Sequence, residues 1–173
     1  MKTIYLLSLV LLSILILTFS CSKPEDGDEH CPEGYSGKNC DIQVTPDTVF
    51  ITQINVTRFP ANNVQEETWD ATSDADIFVK LFQNDELFWT STTVYQNADT
   101  ATTYKFIDIT VALFDPMAQY SIQLYDQDNA SEDDFMGGIS FLSYFDDNGF
   151  PELLILDDGG KVAFELDLEY FWE

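Results

Sequence analysis

Apolar and polar residues alternate along most of the chain from about Thr45 onward. The stretch VFITQINVTRF, residues 49–59, alternates the two types and is rich in β-branched residues, which is the pattern of a half-buried β-strand. Seven further stretches show similar features: residues 76–82, 86–95, 104–114, 119–126, 134–145, 152–156 and 161–171. Turns containing Asp, Asn or Gly separate them, as at Asn84-Asp85. The pattern therefore predicts about eight strands, with a brief turn within residues 112–118.

No segment keeps a helical period for long, so the predicted fold class is all-β. Many short strands at regular spacing favour an antiparallel β-sandwich. We expect eight strands in this sandwich, which would occupy residues 48–173. The chain has 173 residues and 45% hydrophobic residues, enough for one domain with a real core and short appendages.

The N-terminal segment, residues 1–20, reads as a signal peptide. Lys2 is followed by an almost unbroken apolar run that ends at Phe19, as in targeting segments. A single transmembrane helix is the alternative, for which the run is short. The run ends at Ser20-Cys21 and resembles a bacterial lipoprotein signal. The resemblance implies that Cys21 is acylated and that the protein is lipid-anchored at the bacterial outer membrane and cell surface, with residues 21–30 as an acidic tether.

Two further cysteines lie in CPEGYSGKNC, at positions 31 and 40. An even pair outside the cytoplasm favours a disulfide, and a free thiol pair or a metal-ligand pair is the alternative. The stretch resembles the C-terminal hairpin of an EGF-like module, C-x-x-G-Y-x-G-x-x-C. That resemblance implies a disulfide between Cys31 and Cys40 in a small hairpin over residues 31–41.

The charge of the chain limits its partners. The formal net charge is −24, with only seven Lys and Arg residues. Nucleic acid is therefore not expected as a partner, because phosphate binding needs clustered basic residues. Unaided binding to an anionic membrane is disfavoured for the same reason. A bound divalent cation would relieve part of the repulsion between the acidic residues.

Two acidic loops stand out within the strand pattern. The stretch YDQDNASEDDFMGG carries five acidic residues in the nine positions from Asp126 to Asp134, and EETWDATSDAD precedes the strand at residues 76–82. In a sandwich both loops can emerge at the same end. Calcium is a hard cation that takes six to eight oxygen ligands in flexible geometry, and Asp side chains on loops supply such oxygens.

The spacing of these aspartates resembles that of the C2 domain, a calcium-dependent lipid-binding sandwich, over roughly residues 48–173. Asp-Ile-Phe-Val-Lys at 76–80 is similar to the family's Asp-Pro-Tyr-Val-Lys. Residues 126–128 are similar to its Asp-x-Asp, and residues 134–137 to its Asp-x-x-Gly. The resemblance implies Ca²⁺ as the bound ion and the following ligands: Asp70, Asp76, Asp126, Asp128 and Asp134.

The chain departs from the C2 pattern in ways that bear more on lipid binding than on calcium. Ser73 and Ile77 stand where the family usually has Gly and Pro, and no lysine-rich strand is present. The loop tips carry no large apolar residue, although Trp69 is near. We therefore expect calcium to bridge the protein to a phospholipid, a protein or an anionic glycan. Extracellular calcium modules bind at about 10⁻⁴–10⁻³ M, and weak to moderate affinity is expected here.

Other interpretations remain open on the sequence. Asp is a common turn former, and Asp74, Glu132 and Asp133 are expected to be solvated. A metal-independent glycan-binding surface protein would use exposed aromatic residues such as Trp69, and a structural stalk or adhesion component would use neither feature. Catalysis is not expected, because the chain's one histidine, His30, lies in the tether and no Ser-His pair or Gly-rich phosphate loop can be built.

Overall fold

The computed structural model describes residues 31–70, 73–128 and 132–173. The predicted signal peptide (1–20), the acidic tether (21–30) and the lipidation site Cys21 lie outside the described residues. In the described part of the chain, no helix is long and apolar enough to cross a membrane.

The described residues form twelve β-strands, and every pairing between neighbouring strands is antiparallel. They are β1 (Tyr35–Ser36), β2 (Ile42–Gln43), β3 (Thr48–Arg58), β4 (Ala75–Gln83), β5 (Glu86–Thr90), β6 (Tyr95–Ala98), β7 (Tyr104–Phe106), β8 (Val111–Leu113), β9 (Tyr120–Asp126), β10 (Asp134–Phe141), β11 (Leu153–Asp157) and β12 (Ala163–Phe171).

Two five-stranded sheets make the body of the molecule. Sheet one has the order β10-β9-β4-β5, with β6 also paired to β4, and sheet two has the order β11-β12-β3-β7, with β8 also paired to β3. Alternate residues of β9, such as Ile122 and Leu124, share one buried core with residues of β12, such as Phe164 and Leu166. The predicted all-β antiparallel sandwich is confirmed.

The predicted strand at residues 86–95 is two strands, β5 and β6, which pair with successive parts of β4. Buried Ser91 separates them. Its backbone N–H donates to the carbonyl of Val79 (2.8 Å), and its Oγ accepts from the N–H of Val79 (3.1 Å) and donates to the carbonyl of Thr93 (3.0 Å). The side chain of Ser91 thus satisfies a strand N–H where the ladder is interrupted.

The predicted strand at residues 104–114 is also divided, into β7 and β8, which both pair with β3. Between them Asp108 has a φ of +56°, a left-handed conformation that ends a regular strand and that Asp tolerates better than most residues. The turn predicted within residues 112–118 is present, since the N–H of Ala118 bonds the carbonyl of Asp115.

The short N-terminal hairpin packs against the sandwich. Cys31 and Cys40 are both disulfide-bonded, so the predicted disulfide is confirmed, and residues from Pro32 to Glu173 form one compact unit. The ring of Tyr35 meets that of Phe150 edge-on at 5.4 Å. The indole N–H of Trp172 donates to the carbonyl of Val44 (3.0 Å). The hairpin end of the sandwich is therefore the end at which β3 begins and β12 finishes.

The opposite end carries both acidic loops. There β3 ends and β12 begins, since Arg58 pairs with Ala163. In sheet one, Asp126 at the end of β9 pairs with Ile77 near the start of β4 and with Asp134 at the start of β10. We call this the loop end. The pairing of β9 with both β4 and β10 is what brings the two acidic loops together.

Candidate cation site

Asp126 is the centre of the acidic cluster at the loop end. It is the last residue of β9 and continues the inward-facing alternation of that strand, so its side chain has no exposed surface. Its Oδ1 accepts a hydrogen bond from the backbone N–H of Asp76 (2.5 Å). Its Oδ2 is buried and has no hydrogen-bond partner among the described residues. Such an unpartnered carboxylate oxygen is costly, since buried polar atoms are normally satisfied.

The surroundings of Asp126 raise its pKa to about 6 from the ordinary 3.8. Burial is the largest cause, because it disfavours the charged form. The hydrogen bond from Asp76 opposes this rise, and the negative charges of Asp70, Asp128 and Asp76 add to it. Three of the predicted ligands are thus close enough to Asp126 for their charges to act on it.

Asp76 ties the neighbouring segments together. Its Oδ1 accepts from the backbone N–H of Asn97 (2.8 Å), and its backbone carbonyl accepts from the N–H of Gln127 (2.8 Å). Asn97 was not among the residues that the sequence pattern singled out, although Asn is one of the residues that tolerates the left-handed φ of +53° found there. The Asp76 carboxylate is therefore held at the meeting point of β4, β6 and β9.

Asp70 is positioned from within its own loop. Its Oδ2 accepts from the hydroxyl of Ser73 (2.9 Å), and its carbonyl accepts from the hydroxyl of Thr68 (2.7 Å). Ser73, which stands where the C2 pattern usually has Gly, thus orients a predicted ligand. Asp128, two residues beyond β9, is half-buried.

Asp134 has a different environment from the other four. It pairs with Asp126 across β9 and β10, but its side chain is exposed and lines a cleft beside Trp69 and Lys161. The structure therefore gathers Asp70, Asp76 and Asp128 around Asp126 and places Asp134 at the edge of this cluster, in the cleft.

Within residues 31–70, 73–128 and 132–173, no group of three or more His, Cys, Asp or Glu side chains has the arrangement of a formed metal site. One oxygen of Asp70 and one oxygen of Asp76 accept hydrogen bonds from Ser73 and Asn97. The donor set suits a hard cation, because it consists of carboxylate oxygens and includes Oδ2 of Asp126, which has no hydrogen-bond partner among the described residues.

Of the three acidic residues expected to be solvated, two are exposed and one forms an ion pair. Asp74 and Glu132 are exposed. Asp133 instead forms an ion pair with Lys80, at 3.2 Å between Oδ2 and Nζ. The ammonium of Lys80 also lies over the ring of Tyr125, 4.0 Å from its centre. Lys80 therefore neutralises a carboxylate of the second acidic loop on the outer face of sheet one.

No protein-family model matches this chain. No curated protein matches it. The structure is similar to a solved C2 domain, with 14% identity, a TM-score of 0.46, and 70% of this chain and 97% of that chain covered. It is also similar to a C2 domain of plant Extended Synaptotagmin 1, with 16% identity, a TM-score of 0.47, and 75% and 98% coverage.

A third similar structure is human GIVD cytosolic phospholipase A2, with 18% identity, a TM-score of 0.41, and 73% of this chain covered. The matched part is only 17% of that enzyme's chain. Two of these three structures are C2 domains. The assignment of the sandwich itself rests on the strands and the core described above.

Proposed function

We propose that this protein binds Ca²⁺ at the loop end, with carboxylate ligands from Asp70, Asp76, Asp126 and Asp128. The observation that carries the proposal is the buried Oδ2 of Asp126, which has no hydrogen-bond partner in the described part of the chain and lies among three further carboxylates whose charges raise its pKa. A bound cation would give that oxygen a partner and turn the repulsion within the cluster into attraction.

Calcium suits this cluster better than magnesium does. Asp70 and Asp128 lie on loops, and Asp76 and Asp126 lie at the ends of β4 and β9. Calcium accepts six to eight oxygens in such variable geometry. Magnesium requires a compact octahedron and retains several waters. Backbone carbonyls and water would complete the calcium shell. Asp134, the fifth ligand implied by the sequence, lies next to the cluster through its pairing with Asp126.

The bound ion would link the protein to an anionic oxygen of a lipid headgroup, a protein or an acidic glycan. With a net charge of −24, the protein repels such a partner unless a cation lies between them. We further propose that the protein is a non-catalytic surface lipoprotein, anchored through Cys21. The loop end lies opposite the end that carries residues 32–44.

Calcium titration tests this function. Isothermal calorimetry and thermal unfolding are measured with Ca²⁺, with Mg²⁺ and with EGTA, up to about 1 mM ion. We expect Ca²⁺ to raise the unfolding temperature, Mg²⁺ to raise it less, and Asp126→Asn to abolish the calcium response. Asp85→Asn is the matched control, because it removes the same charge at an exposed turn of the hairpin end. Unfolding that is identical in Ca²⁺ and EGTA would refute the proposal.

The partner of the bound ion is identified by a second measurement. Co-sedimentation is measured with vesicles of phosphatidylcholine alone and of phosphatidylcholine mixed with phosphatidylserine. Calcium-dependent binding to the second vesicles alone would identify an anionic headgroup. If neither vesicle binds although calcium does, the lipid part of the proposal is wrong and the metal part stands.

A further inference from the structure

A second concave surface lies beside the acidic cluster, around Trp69. It has a volume of about 200 Å³ and lies between the 60–69 loop, the start of β10 and Lys161. Its lining includes Pro60, Asn62, Gln65, Trp69, Asp134 and Lys161. We call this surface the Trp69 cleft. It contains none of Asp76, Asp126 and Asp128.

The indole of Trp69 is held in place. Its N–H donates to the carbonyl of Pro60 (2.8 Å), and the ring packs against the edge of the core. Because the N–H is already bonded, the ring offers a ligand an apolar surface rather than a donor. A ring that is already ordered before binding loses little entropy when a ligand lies against it.

The loop that precedes Trp69 is braced by its own hydrogen bonds. The carboxamide oxygen of Asn63 accepts from the N–H of Gln65 (2.9 Å) and of Glu67 (3.0 Å). An isolated β-bridge between Asn62 and Thr68 closes the base of the loop. The polar side chains at its rim, which include Gln65, are therefore presented from an ordered backbone.

A second cavity, of about 160 Å³, adjoins the same indole. It shares Pro60 and Trp69 with the Trp69 cleft and is lined also by Asp74, Asp99 and Thr100. Each cavity is smaller than the about 300–1,000 Å³ of pockets that take drug-sized ligands. Each therefore fits one small ring, and the two together suit consecutive units of an oligomer passing over Trp69.

The charges around Trp69 select against an anionic ligand. Among the described residues, the Trp69 cleft is lined by one acidic residue, Asp134, and one basic residue, Lys161. The cleft therefore has no net charge, although the whole chain has a formal net charge of −24. The second cavity carries the carboxylates of Asp74 and Asp99, which repel an anion and accept hydrogen bonds from hydroxyl groups. An uncharged ligand with an apolar face and many hydroxyl groups matches this combination.

We propose that the Trp69 cleft binds the ring of a neutral sugar within an oligosaccharide, and that it does so without calcium. The C–H face of the ring lies against the indole, as an amphipathic aromatic side chain allows. Its hydroxyl groups exchange hydrogen bonds with Asn62, Gln65, Asp134 and Lys161. Apart from Asp134, this site uses none of the residues of the proposed calcium site. It would take neutral sugars, whereas the calcium site would bind an acidic glycan through the ion.

Affinity electrophoresis in the presence of EGTA tests the proposal. The probes are the neutral polysaccharides laminarin, xylan, glucomannan, dextran and yeast mannan, with chondroitin sulfate as the acidic comparison. We expect at least one neutral polysaccharide to retard the wild-type protein, and chondroitin sulfate not to. Trp69→Ala should weaken the binding by about ten-fold or more. Since this change can disturb the loop, unfolding is measured for each variant.

Exposed rim residues provide variants that leave the fold intact. Gln65→Ala and Lys161→Ala should each weaken retardation several-fold, and Lys105→Ala, an exposed lysine on β7, should leave it unchanged. Asp126→Asn should also leave it unchanged, which separates this site from the calcium site. The proposal is overturned if no neutral polysaccharide retards the wild type. It is also overturned if the rim variants bind normally, or if binding requires Ca²⁺.

Discussion

The backbone N–H of Asp76 donates a hydrogen bond to Oδ1 of Asp126, at 2.5 Å and across 50 residues of sequence. A second bond, from the N–H of Gln127 to the carbonyl of Asp76, runs back across the same junction. Together they hold the start of β4 against the end of β9. They also fix a buried carboxylate in a cluster of like charges. Substitution of Asp126 therefore tests both the stability of the loop end and its ion binding.

Replacing Asp126 should stabilise the protein when calcium is removed. In Asp126→Asn the amide oxygen can still accept from Asp76, but the buried charge and its repulsion with Asp70, Asp76 and Asp128 are gone. From the rise of its pKa to about 6, the gain in unfolding free energy is at most about 3 kcal/mol at neutral pH. Urea unfolding in EGTA measures it. A destabilised variant would contradict this prediction.

The same pKa predicts how stability changes with pH. Asp126 has a pKa of about 6 in the folded protein and 3.8 as its ordinary value, so between these values the folded state binds a proton that the unfolded state releases. The neutral, protonated carboxyl of Asp126 therefore makes the folded state more stable than the charged carboxylate does. This stabilisation is complete below pH 3.8 and is lost as the pH rises through about 6. The difference in unfolding free energy between wild type and Asp126→Asn, measured in EGTA from about pH 4 to pH 7, should follow that curve. A difference independent of pH would contradict the assignment.

Asp128 and Asp134 should differ in their effect on calcium binding. The charge of Asp128 contributes to the raised pKa of Asp126, whereas the side chain of Asp134 lines the Trp69 cleft. Calorimetry should therefore show a loss of about ten-fold or more in calcium affinity for Asp128→Asn, and a smaller loss for Asp134→Asn. NMR titration adds a second readout, since Asp128→Asn should lower the pKa of the Asp126 carboxyl. Equal losses of calcium affinity in both variants would instead indicate that all five aspartates coordinate the ion.

Gly34 should be essential for packing of the N-terminal hairpin. A Cβ there would lie 2.6 Å from Cε2 of Phe150 and 2.7 Å from Cζ2 of Trp172, and such overpacking costs about 1–3 kcal/mol. Gly159→Ala is the control, because Gly159 also has a positive φ but no atom of the described residues lies within 4 Å of its added Cβ. Chemical unfolding should show that Gly34→Ala is destabilised more than the control. Equal effects would mean that only the backbone conformation matters.

Ser91 should contribute to stability far more than an exposed serine does. Ser91→Ala removes the acceptor for the N–H of Val79 in the middle of β4, and an unsatisfied buried donor costs about 1–3 kcal/mol. Ser140→Ala, at an exposed position of β10, serves as the comparison. Unfolding free energies should differ by about that amount, and no difference would mean that the N–H of Val79 finds another acceptor.

The local alternation of apolar and polar residues was sufficient to predict most strands. Alternation predicted β9 and β12 because each has one face in the core and one outside, so side-chain polarity reports orientation directly. It did not predict the division at Ser91, because that interruption depends on a hydrogen bond to Val79 on another strand. It did not predict the division at Asp108 either, since β7 and β8 are both defined by their pairing with β3.

In the candidate site, too, some features follow from the sequence and others only from contacts between strands. The amino-acid sequence already shows which residues carry negative charge, how they are spaced in two loops, and the all-β class that allows the loops to meet. The fold adds that Asp126 is buried, with an Oδ2 that has no hydrogen-bond partner among the described residues, and that Asn97 and Ser73 orient neighbouring carboxylates. It also places Asp134 in the cleft lined by Trp69 and Lys161. Burial and charge repulsion are properties of distances between separate strands, and those distances are set when β9 pairs with both β4 and β10.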